Sequence, residues 1–320
     1  MPMKLHTDYR NLPADALDCV IAVGSFDGVH EGHRALIRAA RDIAARLKSP
    51  LGIITFEPHP REFFQPGGPP FRLTLPRAQR RIFESLGVDH LFTLPFDAAF
   101  SRLTGDDFVR EVLRDSLKAR HVAVGPDFHF GHKRSGSPAT LKAAADKGAF
   151  GLTLLPAVQC ESGARFSSTR IRAHIAKAEL DDAAALLGYP WEMEAAVIPG
   201  DRRGRTIGYP TANQDVARYV RMPYGVYAVQ VMVEGEYMWR GGAANFGIRP
   251  MFEVSAPLLE TYIFDFASEI YGKQMRVRPV RKLRPEMNFD GLEALKAQID
   301  RDCLDARAVL KSASLQESGQ

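Results

Sequence analysis

The sequence predicts two folds in tandem: an α/β N-terminal domain on a mostly parallel sheet, then a C-terminal antiparallel β-barrel with a closing helix. Three observations carry this expectation. The first half alternates short β-branched apolar runs with amphipathic helical stretches, the pattern of a parallel sheet covered on both faces. The second half changes to two-residue alternation around tight turns, as antiparallel strands require. A chain of 320 residues holds about two domains of ordinary size, each able to bury its own core.

"CVIAVGSF" (19–26) reads as a buried strand that stops at the Asp27-Gly28 turn signal. From Glu31 to Lys48 the period becomes helical, with Leu36, Ala40, Ile43 and Leu47 on one face. "GIITF" (52–56), "HVAVG" (121–125) and "LTLLP" (152–156) are further short strands. "TGDDFVREVLRDSL" (104–117) opens on a Thr104-x-x-Asp107 capping pattern and carries Phe108, Val109 and Val112 at helical spacing. A loop-rich stretch, "IPGDRRGRTIGYPTANQD", then precedes "GVYAVQVMVEGEYMW". There Val226, Ala228, Gln230 and Met232 alternate with Tyr227, Val229, Val231 and Val233 up to a turn at Glu234-Gly235. "LLETYIFDF" (258–266) and "QMRVRPV" (274–280) read as strands. "DGLEALKAQIDRDCLDARAVLK" (290–311) reads as the closing helix, capped by Asp290-x-x-Glu293, with Leu292, Leu295, Ile299 and Cys303 on its buried stripe. The boundary falls near 183–195, giving domains of 1–185 and 186–311 and a polar, frayed tail over 312–320.

Composition narrows the function classes. Apolar content of 45% and charged content of 25% belong to a globular protein. A net charge of +4 suits anionic small molecules but is too slight to indicate nucleic acid, and the arginines are spread along helix faces without interleaved aromatics. The three cysteines are odd in number and far apart, which makes neither a disulfide framework nor a C-x-x-C metal site. No apolar run reaches the roughly 20 residues of a membrane span, and "MPMKLHTDYRNLPADALD" lacks the apolar core of a signal peptide. The expectation is a cytoplasmic protein whose partners are small molecules, not nucleic acid or membrane.

The chemistry begins at "GSFDGVHEGHRALIRAARDIA", which starts at Gly24 and sets His30 and His33 where a loop becomes a helix. A helix N-terminus offers unpaired N–H groups and a positive dipole end, which together attract anions. Gly24, Gly28 and Gly32 let the backbone approach a ligand without a Cβ in the way. The two imidazoles add donors for phosphate oxygens. Three readings are open on the residues alone: a phosphate cradle, an H-x-x-H zinc pair, or two solvated surface histidines. Zinc has no third ligand nearby, and "HFGH" (129–132) is no better supported.

"GSFDGVHEGH" resembles the signature of the HxGH nucleotidyltransferase superfamily and, more narrowly, of the bacterial bifunctional riboflavin kinase/FAD synthetase family. The likeness continues in order through "TFEPHPREFF" (55–64), "LGVDHLFTLPFDAAFSRLTGDDFV" (86–109), "VGPDFHFGHKRSG" (124–136) and "FSSTRIR" (166–172). It implies a Rossmann-like domain in which FMN phosphate attacks the α-phosphorus of ATP and expels pyrophosphate. It places His30, His33 and Arg170 on the ATP phosphates and Gly24, Phe26, Gly28 and Gly32 along the nucleotide. Ser167, Ser168 and Thr169 join Arg170 in a triphosphate-binding element, where hydroxyls and a guanidinium suit polyphosphate. Taken alone, S-S-T-x-x-R caps a helix equally well. Asp127 is a flavin- or nucleotide-side residue or else a buried structural carboxylate or loop turn, and Arg61 is a phosphate contact or a surface arginine.

"GDRRGRTIGYPTAN" (200–213) resembles the riboflavin kinase signature, and "GVYAVQV" and "LLETYIFDFASEIYG" follow it as they do in that family. Thr211 and Asn213 are the hard oxygen ligands that Mg²⁺ prefers, with Gly204 and Arg205 along the ADP phosphates. A bare P-T-A-N would suit an ordinary turn. Glu260 projects on the face of Tyr262, Phe264 and Phe266, and a carboxylate on an apolar face is either paired or functional. The resemblance makes it the base that accepts the riboflavin 5′-hydroxyl proton; the alternative is a salt-bridged edge-strand glutamate. In "KLRPEMNFDGLEAL" (282–295), Arg284 and Glu286 are flavin-side residues or a structural ion pair. The likeness spans about residues 18–302 and departs at Met251, usually threonine, and at Ala195 and Pro199, usually glycine and histidine. It implies Mg²⁺ and ATP for both steps, with FMN and FAD as products. A cytidylyltransferase-type enzyme would leave "GYPTAN" and Glu260 without a role. A non-catalytic flavin- or nucleotide-binding regulator would not need His30, His33, Thr211 and Glu260 intact.

Overall fold

In a computed structural model the described residues are 2–160, 163–200, 204, 207–248 and 257–317. Arg205 and Met251 lie outside them. The chain forms two compact units, Met1–Pro69 with Pro76–Ser167, and Pro70–Leu75 with Ser168–Gln320.

The first unit contains, in chain order, β1 (Lys4–His6), β2 (Val20–Val23), α1 (Glu31–Leu47), β3 (Leu51–Glu57), α2 (Pro60–Phe64), α3 (Pro76–Ser85), β4 (His90–Pro95), α4 (Gly105–Asp107), β5 (His121–Val124), α5 (Pro138–Asp146) and β6 (Gly151–Leu154). The strands form one parallel sheet in the order β1-β4-β3-β2-β5-β6. The order reverses between β2 and β5, and the loops leaving their carboxyl ends flank the crevice where such sheets bind ligands. Ile21, Val23, Ile54, Phe92, Val122 and Val124 are buried in the core beside these strands.

Three local details differ from expectation. The first predicted strand stops at Val23, because Phe26 takes φ 50° and the chain leaves the extended conformation. β1 and β4 carry too little alternation to be read alone and are defined by pairing with their parallel neighbours. The Thr104 cap forms as expected, with the Asp107 amide donating to Thr104 Oγ1 at 3.1 Å. Beyond it, Phe108–Ser116 is π-helical, and the Leu117 amide bonds the Val112 carbonyl at 3.0 Å. That i→i+5 step keeps Phe108, Val112 and Leu117 all in the core.

The second unit contains α6 (Ser168–Ile175), α7 (Leu180–Leu187), β7 (Met193–Ile198), β8 (Thr211–Asp215), β9 (Gly225–Val233), β10 (Arg240–Ile248), β11 (Pro257–Ile263), β12 (Gln274–Arg284) and α8 (Leu292–Glu317). Its strands close into a barrel in the order β10-β11-β8-β7-β12-β9, every pair antiparallel. Pro70–Leu75 belongs here: Trp191 Nε1 donates to the Leu73 carbonyl at 2.9 Å, and the Val220 amide to that of Arg72, also at 2.9 Å. "TANQD", expected as loop, is strand β8 because β7 and β11 pair both its edges.

Two expectations about this unit need correction. β11 ends at Ile263, so Phe264 is not in line with Glu260; it is buried against Ala306 and Leu310. The predicted buried stripe of the last helix is only half right. Leu292 is 56% exposed, Leu295 and Ile299 line a cavity instead of a closed core, and Cys303 both lines that cavity and packs on the core cluster of Ala306 and Leu310. The docking contact is made one to two turns later by Ala306 and Leu310, and the helix continues to Glu317. Leu310→Ala should therefore loosen α8 and cost about 2 kcal/mol. Urea denaturation followed by tryptophan fluorescence reads this unit specifically, because Trp191 and Trp239 are the chain's two tryptophans.

Candidate functional sites

In the first unit, β2 delivers the chain into the loop Gly24–Val29 and then into α1, with His30 as N-cap. His30 Nδ1 accepts the His33 amide at 3.3 Å. A ring nitrogen that accepts carries no proton, so neutral His30 holds its proton on Nε2 as a donor. The two imidazoles stack with centroids 3.6 Å apart and planes at 14°. Gly32 makes room for this: a Cβ there would lie 3.2 Å from the His30 ring and 3.3 Å from Phe166 Cβ. Gly28, at φ 85°, holds a backbone conformation that side chains disfavour.

His30 is only 7% exposed, which excludes the solvated-surface reading. Among the described residues, neither histidine belongs to a cluster of three donors spaced to hold one metal ion. Burial first, and the neighbouring His30 second, hold the His33 pKa well below the ordinary imidazole value. Its Nδ1 is buried without a hydrogen-bond partner. Phe26 does not present its side chain to a ligand. It is 1% exposed, packed edge-on against His33 at 5.2 Å and Phe83 at 5.6 Å, so it supports the histidine from behind.

Two further predicted residues follow the carboxyl ends of the first unit's strands. Arg61 is exposed on α2, just past β3. Asp127 follows β5, is exposed rather than buried, and pairs with Arg165 at 2.8 Å. Ser167 ends the first unit, while Ser168, Thr169 and Arg170 form the first turn of α6 in the second. An aromatic cluster went unread in the sequence. Phe63 and Phe64 on α2 meet Phe96, just after β4, at centroid distances of 5.4 and 5.6 Å. Phe64 remains 64% exposed, and the clustering depends on bringing β3 and β4 side by side.

The barrel holds a cavity of 1120 Å³. Asn213 lies directly opposite Glu260, and Glu260 directly opposite Asn245. Opposed residues share a sheet face, so β8, β11 and β10 present three polar side chains in one row, all lining the cavity. Asn245 was not anticipated, since its position depends on barrel register. Asn213 Nδ2 donates to the Thr211 carbonyl at 3.4 Å, and its Oδ1 is an oxygen of the hard kind that divalent cations prefer. A Cβ on Gly200 would sit 2.3 Å from Asn213 Nδ2, and one on Gly204 would sit 2.2 Å from the Tyr209 carbonyl and 3.6 Å from Thr211 Oγ1. Gly200 and Gly204 thus pack directly on the P-T-A-N segment.

Arg284 forms a bidentate pair with Asp302, at 2.8 and 2.7 Å, in the cavity wall. The structural ion pair is thus present for Arg284, but with Asp302 as its partner and not Glu286. Glu286 instead seats its carboxylate over Gly247, where a Cβ would come within 2.1 Å of Oε1. Ala195 lies in β7, its carbonyl accepting from Gln214 Nε2 at 2.7 Å, and Pro199 is exposed just beyond that strand.

The fold defines a tandem enzyme: an α/β crevice edged by two stacked imidazoles, and a barrel cavity lined by Thr211, Asn213 and Glu260. A family profile described as FAD synthetase matches residues 12–170, and one described as riboflavin kinase matches 187–310. The chain belongs to the bifunctional riboflavin kinase/FMN adenylyltransferase family. The Escherichia coli (strain K12) enzyme of that name is 40% identical over 95% of this chain and 97% of its own. The Haemophilus influenzae enzyme is 37% identical over 97% of this chain and its entire length. The crystal structure of a macrolide-efflux protein from Streptococcus pneumoniae superposes with a TM-score of 0.79 at 30% identity, covering 94% of this chain and 97% of that one. Among the described residues here, no helix is long and apolar enough to cross a membrane.

The His33 shift predicts a pH dependence. The unfolded chain takes up a proton near 6.5, whereas folded His33 resists it until well below. Stability from this group is therefore present above 6.5 and lost as pH falls below it. His6 and His90, also lowered mainly by burial, act in the same direction. Protection factors of the β2 and β3 amides, taken relative to the intrinsic exchange rate at each pH, should fall between about pH 7 and pH 5.5, with a shallower slope in His33→Gln.

Proposed function

We infer that the barrel transfers the γ-phosphoryl group of ATP to riboflavin, giving FMN and ADP, and that the α/β unit transfers the adenylyl group of a second ATP to FMN, giving FAD and pyrophosphate. The observation that carries the residue assignments is the row Asn213–Glu260–Asn245 across the cavity wall.

In the kinase step Glu260 accepts the riboflavin 5′-hydroxyl proton as that oxygen bonds to the γ-phosphorus. The bond from γ-phosphorus to the bridging oxygen breaks, and ADP leaves with the electron pair. A positioned base of this kind contributes about 100- to 10,000-fold. Thr211 Oγ1 and Asn213 Oδ1 are a donor set that fits Mg²⁺, which when bound offsets phosphate charge. The Gly200 and Gly204 backbone, already packed on that pair, admits the nucleotide phosphates. Arg284, clamped by Asp302, and Glu286, seated over Gly247, form the flavin side of the cavity.

In the adenylyl step an oxygen of the FMN phosphate attacks the α-phosphorus and expels pyrophosphate. His30 donates from Nε2, and His33, uncharged when the site is empty, gains a reason to bind a proton once anionic phosphates arrive. Gly24, Gly28 and Gly32 bring backbone close to the nucleotide, and Ser167, Ser168, Thr169 and Arg170 serve the triphosphate. Phe64 offers an exposed ring on which a flavin can stack, with Asp127 on the same carboxyl edge. A cytidylyltransferase reading leaves the barrel without a purpose, and a regulator has no need of Glu260 beside Thr211 and Asn213. A cytoplasmic location belongs to the same reading, supported by the odd number and wide spacing of Cys19, Cys160 and Cys303.

Glu260→Ala should reduce FMN formation about 100-fold or more while FAD formation from supplied FMN stays normal. His30→Ala should do the reverse, by a similar factor of about 100. Chromatography with fluorescence detection follows both products, and a Glu260→Ala protein that still phosphorylates riboflavin at the native rate rules out the base. Gly200→Ala should push the Asn213 amide aside and lower kinase kcat about 100-fold, read in the same assay.

A further inference from the structure

The loop that presents His30 and His33 is strained. Phe26 has φ 50° and Val29 has φ 37°, both on the left-handed side that L-residues avoid. For a β-branched residue such as Val29 this is a marked departure, and such geometry persists only where the surroundings over-determine it. Backbone bonds hold the loop's two ends, from the Gly24 amide to the Ile54 carbonyl at 3.1 Å and from the Val29 amide to the Phe26 carbonyl at 3.0 Å. Between them, the Ser25 and Phe26 carbonyls point at α3.

Gln79 meets both. Its side chain is 5% exposed, and Nε2 donates to the Ser25 carbonyl at 2.9 Å and to the Phe26 carbonyl at 2.9 Å. Both neighbours are acceptors, so this atom is the amide nitrogen, and a primary amide nitrogen carries two hydrogens, one for each carbonyl. One helical turn later on the same face, Phe83 packs against the Phe26 ring. α3 therefore grips the loop twice, by hydrogen bonds to its backbone and by an aromatic contact to its side chain.

We propose that Gln79 is a positioning residue of the adenylyl-transfer site, locking the Ser25–Phe26 backbone so that His30 and His33 face the ATP phosphates. This rests on reading the His30–His33 turn as the phosphate cradle. The requirement is for N–H donors, not for an amide as such. Lysine, with three donors on a chain of similar length, meets it; methionine, of similar volume and flexibility, does not.

The test compares full-length Gln79→Met, Gln79→Lys and His30→Ala in FMN adenylylation at varied ATP, with riboflavin phosphorylation by the same preparations as reference. Gln79→Met should raise KM for ATP about 10-fold or more, with little change in KM for FMN. Its amides over 25–29 should exchange faster while those of β2 and β3 do not. Gln79→Lys should restore KM for ATP to within about 3-fold of native. A Gln79→Met protein with native KM for ATP overturns the proposal, as does rapid exchange throughout β2 and β3, which would make Gln79 a residue of general stability. Failure of Gln79→Lys to rescue also counts against it. If His30→Ala itself leaves adenylylation intact, the fault lies in the reading of the cradle and not in Gln79 alone.

Discussion

The hydrogen bond from the His33 amide to His30 Nδ1 is the contact on which the α/β site depends. It starts α1, since an N-cap acceptor satisfies an amide that the helix cannot. It also selects the His30 tautomer, leaving Nε2 as the donor. Because an N-cap imidazole must remain an acceptor, His30 has to stay neutral while α1 stays capped, and the burial that depresses His33 keeps the stacked pair from charging together. Phe26 and Phe83 supply the apolar backing, and Gln79 the polar one.

The barrel meets its requirement through register. Side chains alternate between faces along each strand, so a one-residue slip of β11 against β8 would turn Glu260 away from the cavity. The ladders that close the barrel prevent this, because β11 is paired on both edges. α8 divides its labour: its first turns line the cavity with half-exposed apolar residues, while Ala306 and Leu310 dock it on the barrel. Arg284–Asp302 joins β12 to the helix, so the cavity wall is held by a nearly buried ion pair as well as by packing.

On the proposed reading the two units hold phosphate by different means. The crevice offers a helix N-terminus and neutral imidazoles, whose positive character is preorganised in the backbone and costs little reorganisation. The cavity offers a carboxylate and neutral oxygens, a set that would repel a polyanion unless a cation lay between them. That contrast follows from architecture. A parallel sheet sends chain ends into helix N-termini at its carboxyl edge, whereas an antiparallel barrel presents side chains in rows across its wall.

The local signals of the sequence determined a good deal. Alternating strands and helices, the two-residue period of β9, the Thr104 cap, and the motifs around His30, Thr211 and Glu260 are short-range patterns, governed by steric preference and side-chain spacing within a few residues. They placed both folds and pointed to the candidate residues Thr211, Asn213, Glu260, Arg284 and Glu286 that line the barrel cavity. Tertiary structure decided the rest, because it depends on partners distant in the chain. "TANQD" became a strand only through β7 and β11, Asn245 joined Glu260 only through β10 register, and Phe64 met Phe96 only across adjacent parallel strands. Gln79, 54 residues from Ser25, carries no local mark of its role: an amide in an amphipathic helix looks like a surface residue until the fold sets two carbonyls against it.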